Sequence, residues 1–205
     1  MSEVATIPLA LHDFVPVVLA GAGAFWLAQR SGRRPALVGA LLVLVGGLCK
    51  ATWKLVLAVS GNDIAILDDL LFAFLAPGFA LLTWSLIRPR LPLAVPLGLS
   101  AVALAAALAL GRTVPLLILA VLGATATGVL ALLRAREAGD LTTATLFAVQ
   151  LAMAYALVPF AGAGQTISHQ WWEQSLNTIG QGAFALGAWR LLNTSRQPSR
   201  IRSYA

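Results

Sequence analysis

Apolar residues in this chain fall into seven runs, each about as long as a helix needs to cross a bilayer. The runs cover 9–30, 36–58, 64–87, 92–110, 114–133, 141–162 and 168–192, with short polar breaks between them. In hydrocarbon every backbone N–H and C=O must be satisfied within its own segment, so each run is expected to be an α-helix. The breaks hold residues that stop helices: Ser31-Gly32 ahead of Pro35, Ser60-Gly61-Asn62-Asp63, and Arg88-Pro89-Arg90 ahead of Pro92. The expected fold is an all-α integral membrane protein, a seven-transmembrane-helix bundle forming one transmembrane domain over residues 1–205.

Composition excludes the alternatives. With 59% hydrophobic and 11% charged residues, the chain is too apolar for a soluble domain or a disordered one. Its net charge of +6 does not mark a nucleic-acid binder, because the basic residues punctuate apolar runs instead of sharing one segment. The partner implied is the lipid bilayer. Glu3 stands where a signal peptide carries basic residues, and the first run continues to spanning length, so it reads as a helix that stays. Cys49 is the one cysteine; inside an apolar run it is expected to pack, with no intrachain disulfide.

Arginine sets the expected orientation. Arg30, Arg33 and Arg34 lie in the first loop, Arg88 and Arg90 in the third, Arg134 and Arg136 in the fifth, and Arg196, Arg200 and Arg202 in the tail. The alternate loops hold almost no base. Basic loops stay in the cytoplasm, so the N-terminus is expected outside and the C-terminus inside. Trp26, Trp84 and Trp189 then fall near cytoplasmic ends, and Trp53, Trp171 and Trp172 near outer ends, as interfacial Trp does. High Ala and Arg usage points to a bacterial inner (cytoplasmic) membrane. Pro16, Pro77 and Pro159 are expected kinks.

A weak internal repeat is also visible. Phe79, Trp84 and Leu86 recur at one constant offset as Phe184, Trp189 and Leu191, and Asp68 falls over Glu173. This predicts a 3+1+3 parallel repeat with the fourth helix as linker. The layout resembles that of the SWEET sugar transporters and, more distantly, of microbial rhodopsins. Asn177-x-x-Gly180 is similar to a motif in the last SWEET helix, although the third helix has no matching Asn. The resemblance implies a solute site near the membrane midplane. A retinal protein is disfavoured, because the seventh helix has no lysine for a Schiff base.

Ionisable residues inside spans are costly, and are functional candidates by default. The first helix has His12 and Asp13 about a turn below its outer end. The second holds Lys50 and Lys54, the only lysines, one turn apart. The third holds Asp68 and Asp69, of which Asp69 is expected to pair with a lysine. The seventh carries His169, Glu173, Asn177 and Gln181 at four-residue steps, a stripe running from the outer interface past the membrane middle. Gln150 on the sixth helix reaches that central depth, with Tyr155 above it. The expected ligand-binding set is therefore Asp13, Lys50, Lys54, Asp69, Gln150, Tyr155, His169, Glu173, Asn177 and Gln181, around an outward-facing pocket.

Several chemistries compete for this set. His12, Asp13, Asp69, His169 and Glu173 include a histidine–carboxylate set, but no HxxH or HExxH pair occurs, so no metal and no cofactor is assigned. The leading expectation is binding and translocation of a small polar or amphipathic solute, with proton linkage as a variant. The runner-up is an intramembrane hydrolase that takes a lipid as ligand. Third is a non-catalytic sensor, or an accessory subunit bound to a membrane partner or to copies of itself. Ion pairs that merely fix helix register account for the same charges.

Overall fold

The computed structural model describes residues 6–87, 91–157 and 166–194. Seven helical segments account for nearly all of them: α1 (Ile7–Ser31), α2 (Arg34–Ser60), α3 (Ala65–Leu86), α4 (Ala94–Leu110), α5 (Val114–Glu137), α6 (Leu141–Ala156) and α7 (Ile167–Thr194). No strand occurs among the described residues. Four helices, α1, α2, α3 and α5, are long and apolar enough to cross a membrane. The apolar helices α4 and α6 are shorter, and α7, at 28 residues, is long but more polar. The end of the sixth apolar run, Pro159, Arg88, Arg90 and the tail arginines Arg196, Arg200 and Arg202 lie outside the described residues.

Proline enters and glycine leaves. Pro35 and Pro115 stand at the first turns of α2 and α5, where a missing N–H costs nothing. Gly32 and Gly61 close α1 and α2 at φ 66° and 69°, left-handed values that suit a residue without Cβ. The start of α6 is capped by Asp140, whose carboxylate accepts from the Thr143 amide and hydroxyl at 3.0 and 2.6 Å. Pro77 sits within α3, which remains continuous. Pro16 cannot donate to the His12 carbonyl, so one rung is missing where the segments Ile7–His12 and Phe14–Ser31 meet; Asp13 between them keeps helical dihedrals and donates to the Leu9 carbonyl at 3.2 Å.

Six helices form a closed ring in the order α1, α2, α3, α5, α6, α7, with α7 returning to α1. Helix α4 packs outside the ring against α3 and α5. Large apolar side chains cover the outside, up to Leu108 at 76% exposed, a surface that water would penalise and acyl chains would not. Small residues let the backbones approach. A Cβ on Gly39 would stand 2.7 Å from the Gly78 carbonyl oxygen, and one on Gly46 would stand 2.9 Å from that of Leu71. The α2–α3 crossing is therefore backbone on backbone, the usual device where lipid offers no hydrophobic drive to associate.

The two ends of the ring differ. At the end holding the α1–α2 turn, Leu27, Leu82, Phe147, Phe184 and Leu191 pack with a set of alanines into a dry plug drawn from all six ring helices. Arginines rim that end. Arg33 lies over the Trp84 ring at 4.9 Å, Arg134 donates to the Leu86 carbonyl at 3.0 Å, and Arg190 pairs with Asp140 at 3.4 Å. The acids and lysines of α1, α2 and α3 belong to the opposite end. Of the residues related by the sequence offset, Leu86 and Leu191 both lie in the plug, whereas Phe184 is buried in it and Phe79 packs at its edge and lines a cavity above it.

Candidate functional site

That cavity, of about 480 Å³, occupies the ring between the plug and the lysine-bearing end. Five ring helices line it, and Leu157 adds the end of α6. One wall is polar: Asp13 from α1, Lys50 and Lys54 from α2, and Gln174, Asn177 and Gln181 from α7. The other is apolar, built from Leu71, Phe72, Leu75 and Phe79 of α3 and Val121 of α5. Asp13 and Pro16, about one turn apart on α1, both line the cavity.

Both lysines are neutralised across helix interfaces. Lys54 meets Asp13 Oδ2 at 2.8 Å. Lys50 pairs with Asp68 and also lies over the Trp53 ring at 4.2 Å. Helix α2 is thus tied to α1 by one pair and to α3 by the other. The acid facing Lys50 is Asp68, not the expected Asp69, which is exposed on the outside of the bundle. Adjacent helical residues point about 100° apart, so only one of the two acids can face α2.

The seventh-helix stripe divides. Asn177 and Gln181 reach the cavity and touch each other, Gln181 Nε2 donating to Asn177 Oδ1 at 3.4 Å. His169 and Glu173 do not line it. Each four-residue step overshoots a full turn by about 40°, so His169 stands about 120° round the helix from Gln181. The inward stripe is Gln170, Gln174, Asn177 and Gln181, at steps of four, three and four. Those steps return within about 20° of the start. Gln170 and Gln174 are buried, and neither was among the expected site residues. The alternation of four- and three-residue steps is the signal that finds them.

Gln150 and Tyr155 also stand apart from the cavity. Gln150 is buried between α5 and α6, its Oε1 against Gly128. Tyr155 is exposed and shares a hydrogen bond of 2.9 Å with Thr125. Near the open end, His12 Nε2 lies 3.2 Å from the Thr178 hydroxyl, and its ring sits 5.7 Å from that of Trp171. No cluster of three or more His, Cys, Asp or Glu suited to a metal occurs among the described residues.

Fold and site together define a helical bundle of membrane-protein type with a two-faced internal cavity. No family model matches the chain, and neither a curated protein nor a solved structure matches it.

Proposed function

We propose that this is a seven-crossing membrane protein, N-terminus outside, that admits a small polar or amphipathic solute to the cavity from the outer side and translocates it. The observation that carries this reading is the division of the interior. A cavity with one polar and one apolar wall occupies one half of the ring, and a dry plug closes the other. Its volume is in the range that holds small organic ligands. Arginines rim the plugged end, which supports placing that end in the cytoplasm. The more polar α7 fits a span because its amides turn into the ring, away from lipid. Translocation requires the plug to part.

The test compares wild type with Ala20→Phe, which fills the cavity from α1. Small molecules co-purifying with each are identified by mass spectrometry, and any species enriched in wild type is offered to proteoliposomes. Uptake that collapses in Asn177→Ala supports the proposal. Identical small-molecule profiles for wild type and Ala20→Phe overturn it.

The hydrolase reading keeps one specific observation, the Thr178 hydroxyl beside His12 Nε2, a nucleophile-and-base pairing. Lipid hydrolysis abolished by Thr178→Ala, with uptake absent throughout, would decide for the enzyme.

A further inference from the structure

The cavity also specifies the head of its occupant. Asp13 and Gln174 are 6% and 8% exposed, and both line the cavity. Asp13 gives Oδ2 to Lys54, while its Oδ1 accepts no hydrogen bond. Gln174 Oε1 likewise accepts none. A buried acceptor without a donor is costly, and polar interiors normally satisfy such groups. Two of them on one wall call for a ligand that donates hydrogen bonds.

Charge narrows the choice. The acid and both lysines of this wall already have partners, Asp13 with Lys54 and Lys50 with Asp68, which stands off the cavity lining. A cationic or anionic head would bring an uncompensated charge into a low-dielectric interior. An uncharged hydroxyl adds none, donates to one orphan oxygen, and accepts from an amide such as Asn177. Leu71, Phe72, Leu75 and Phe79 face that wall across the cavity and suit an aliphatic body.

Resting on the proposed solute-binding reading, we infer that the cavity takes an uncharged, hydroxyl-headed amphipath, an alcohol on an apolar chain. Its hydroxyl donates to Gln174 Oε1 and accepts from the Asn177 amide, and its chain lies along α3.

Three probes sharing one alkyl chain test this: decanol, decylammonium and decanoate. Each is titrated into the full chain in lipid nanodiscs, and apparent Kd is read from the shift in thermal unfolding. Decanol is expected to bind about tenfold more tightly than either charged analogue. Gln174→Leu removes one acceptor, leaves both ion pairs intact, and is expected to weaken decanol about three- to tenfold with little effect on the others. Equal or tighter binding of a charged probe, lost in Ala20→Phe, overturns the head assignment and leaves cavity binding standing. If no probe distinguishes wild type from Ala20→Phe, both readings fall.

Discussion

Replacing Lys54 by methionine strands the Asp13 carboxylate in the interior, and this is the most informative single perturbation of the site. Side-chain exposures are 7% for Asp13 and 20% for Lys54, so the pair is largely shielded. At 2.8 Å and an effective dielectric constant near 20, their attraction is about 6 kcal/mol. Desolvation offsets most of that, so the net value of the pair is small, while the cost of breaking it is not. Lys54→Met is expected to destabilise by about 3–5 kcal/mol, because the buried carboxylate keeps its desolvation cost and loses its partner. Asp13→Leu should cost less, about 1–2 kcal/mol, since the flexible lysine stem can carry its charge toward the open end. The double variant replaces the pair by two apolar side chains and should return to within about 1 kcal/mol of wild type. Unfolding of the four proteins in nanodiscs, followed by near-ultraviolet circular dichroism, closes the cycle. Additive losses, with the double variant the least stable of the four, would refute the claim that the two side chains share a buried contact.

The other expectations are simpler. Gly39→Ala should destabilise by about 1–3 kcal/mol, because the added Cβ meets the Gly78 carbonyl and the α2–α3 crossing must open; Gly98→Ala, with open space around it, should be neutral or up to about 1 kcal/mol stabilising in the same melt. Asp140→Ala should cost about 1 kcal/mol through the lost cap on α6. The Thr143 hydroxyl and amide, with Arg190 beside them, hold the Asp140 carboxyl below its usual 3.8. Its stabilisation is therefore full above that value and fades as pH falls through the lowered one, so melts of wild type and Asp140→Ala should converge at strongly acid pH and differ at neutrality. In a Cys49→Ala background, Asn62→Cys should react with a membrane-impermeant maleimide on intact cells and Glu137→Cys only after lysis; the reverse pattern would invert the proposed orientation.

Much of the secondary structure was legible because its causes are local. Apolar run length, proline at helix starts and glycine at helix ends place the boundaries of α2 and α5 within a few residues of the sequence-derived spans. The candidate site was legible only in part. Lys50, Lys54, Asp13, Asn177 and Gln181 reach one cavity, whereas Asp69, Gln150, Tyr155, His169 and Glu173 do not line it. A four-residue count along α7 follows His169 and Glu173 off the inward face, because the α-helix turns every 3.6 residues. Gln174 was hidden by the same count.

The amino-acid sequence alone determines that this chain is helical and that several of its helices are suited to lipid, since backbone polarity and run length leave no other economical solution. Which acid meets which lysine, and where the ring encloses a cavity instead of a plug, depend on the rotation of each helix about its axis. That rotation is set by close crossings such as Gly39 against Gly78, where residues distant along the chain meet. Only the packed bundle decides it.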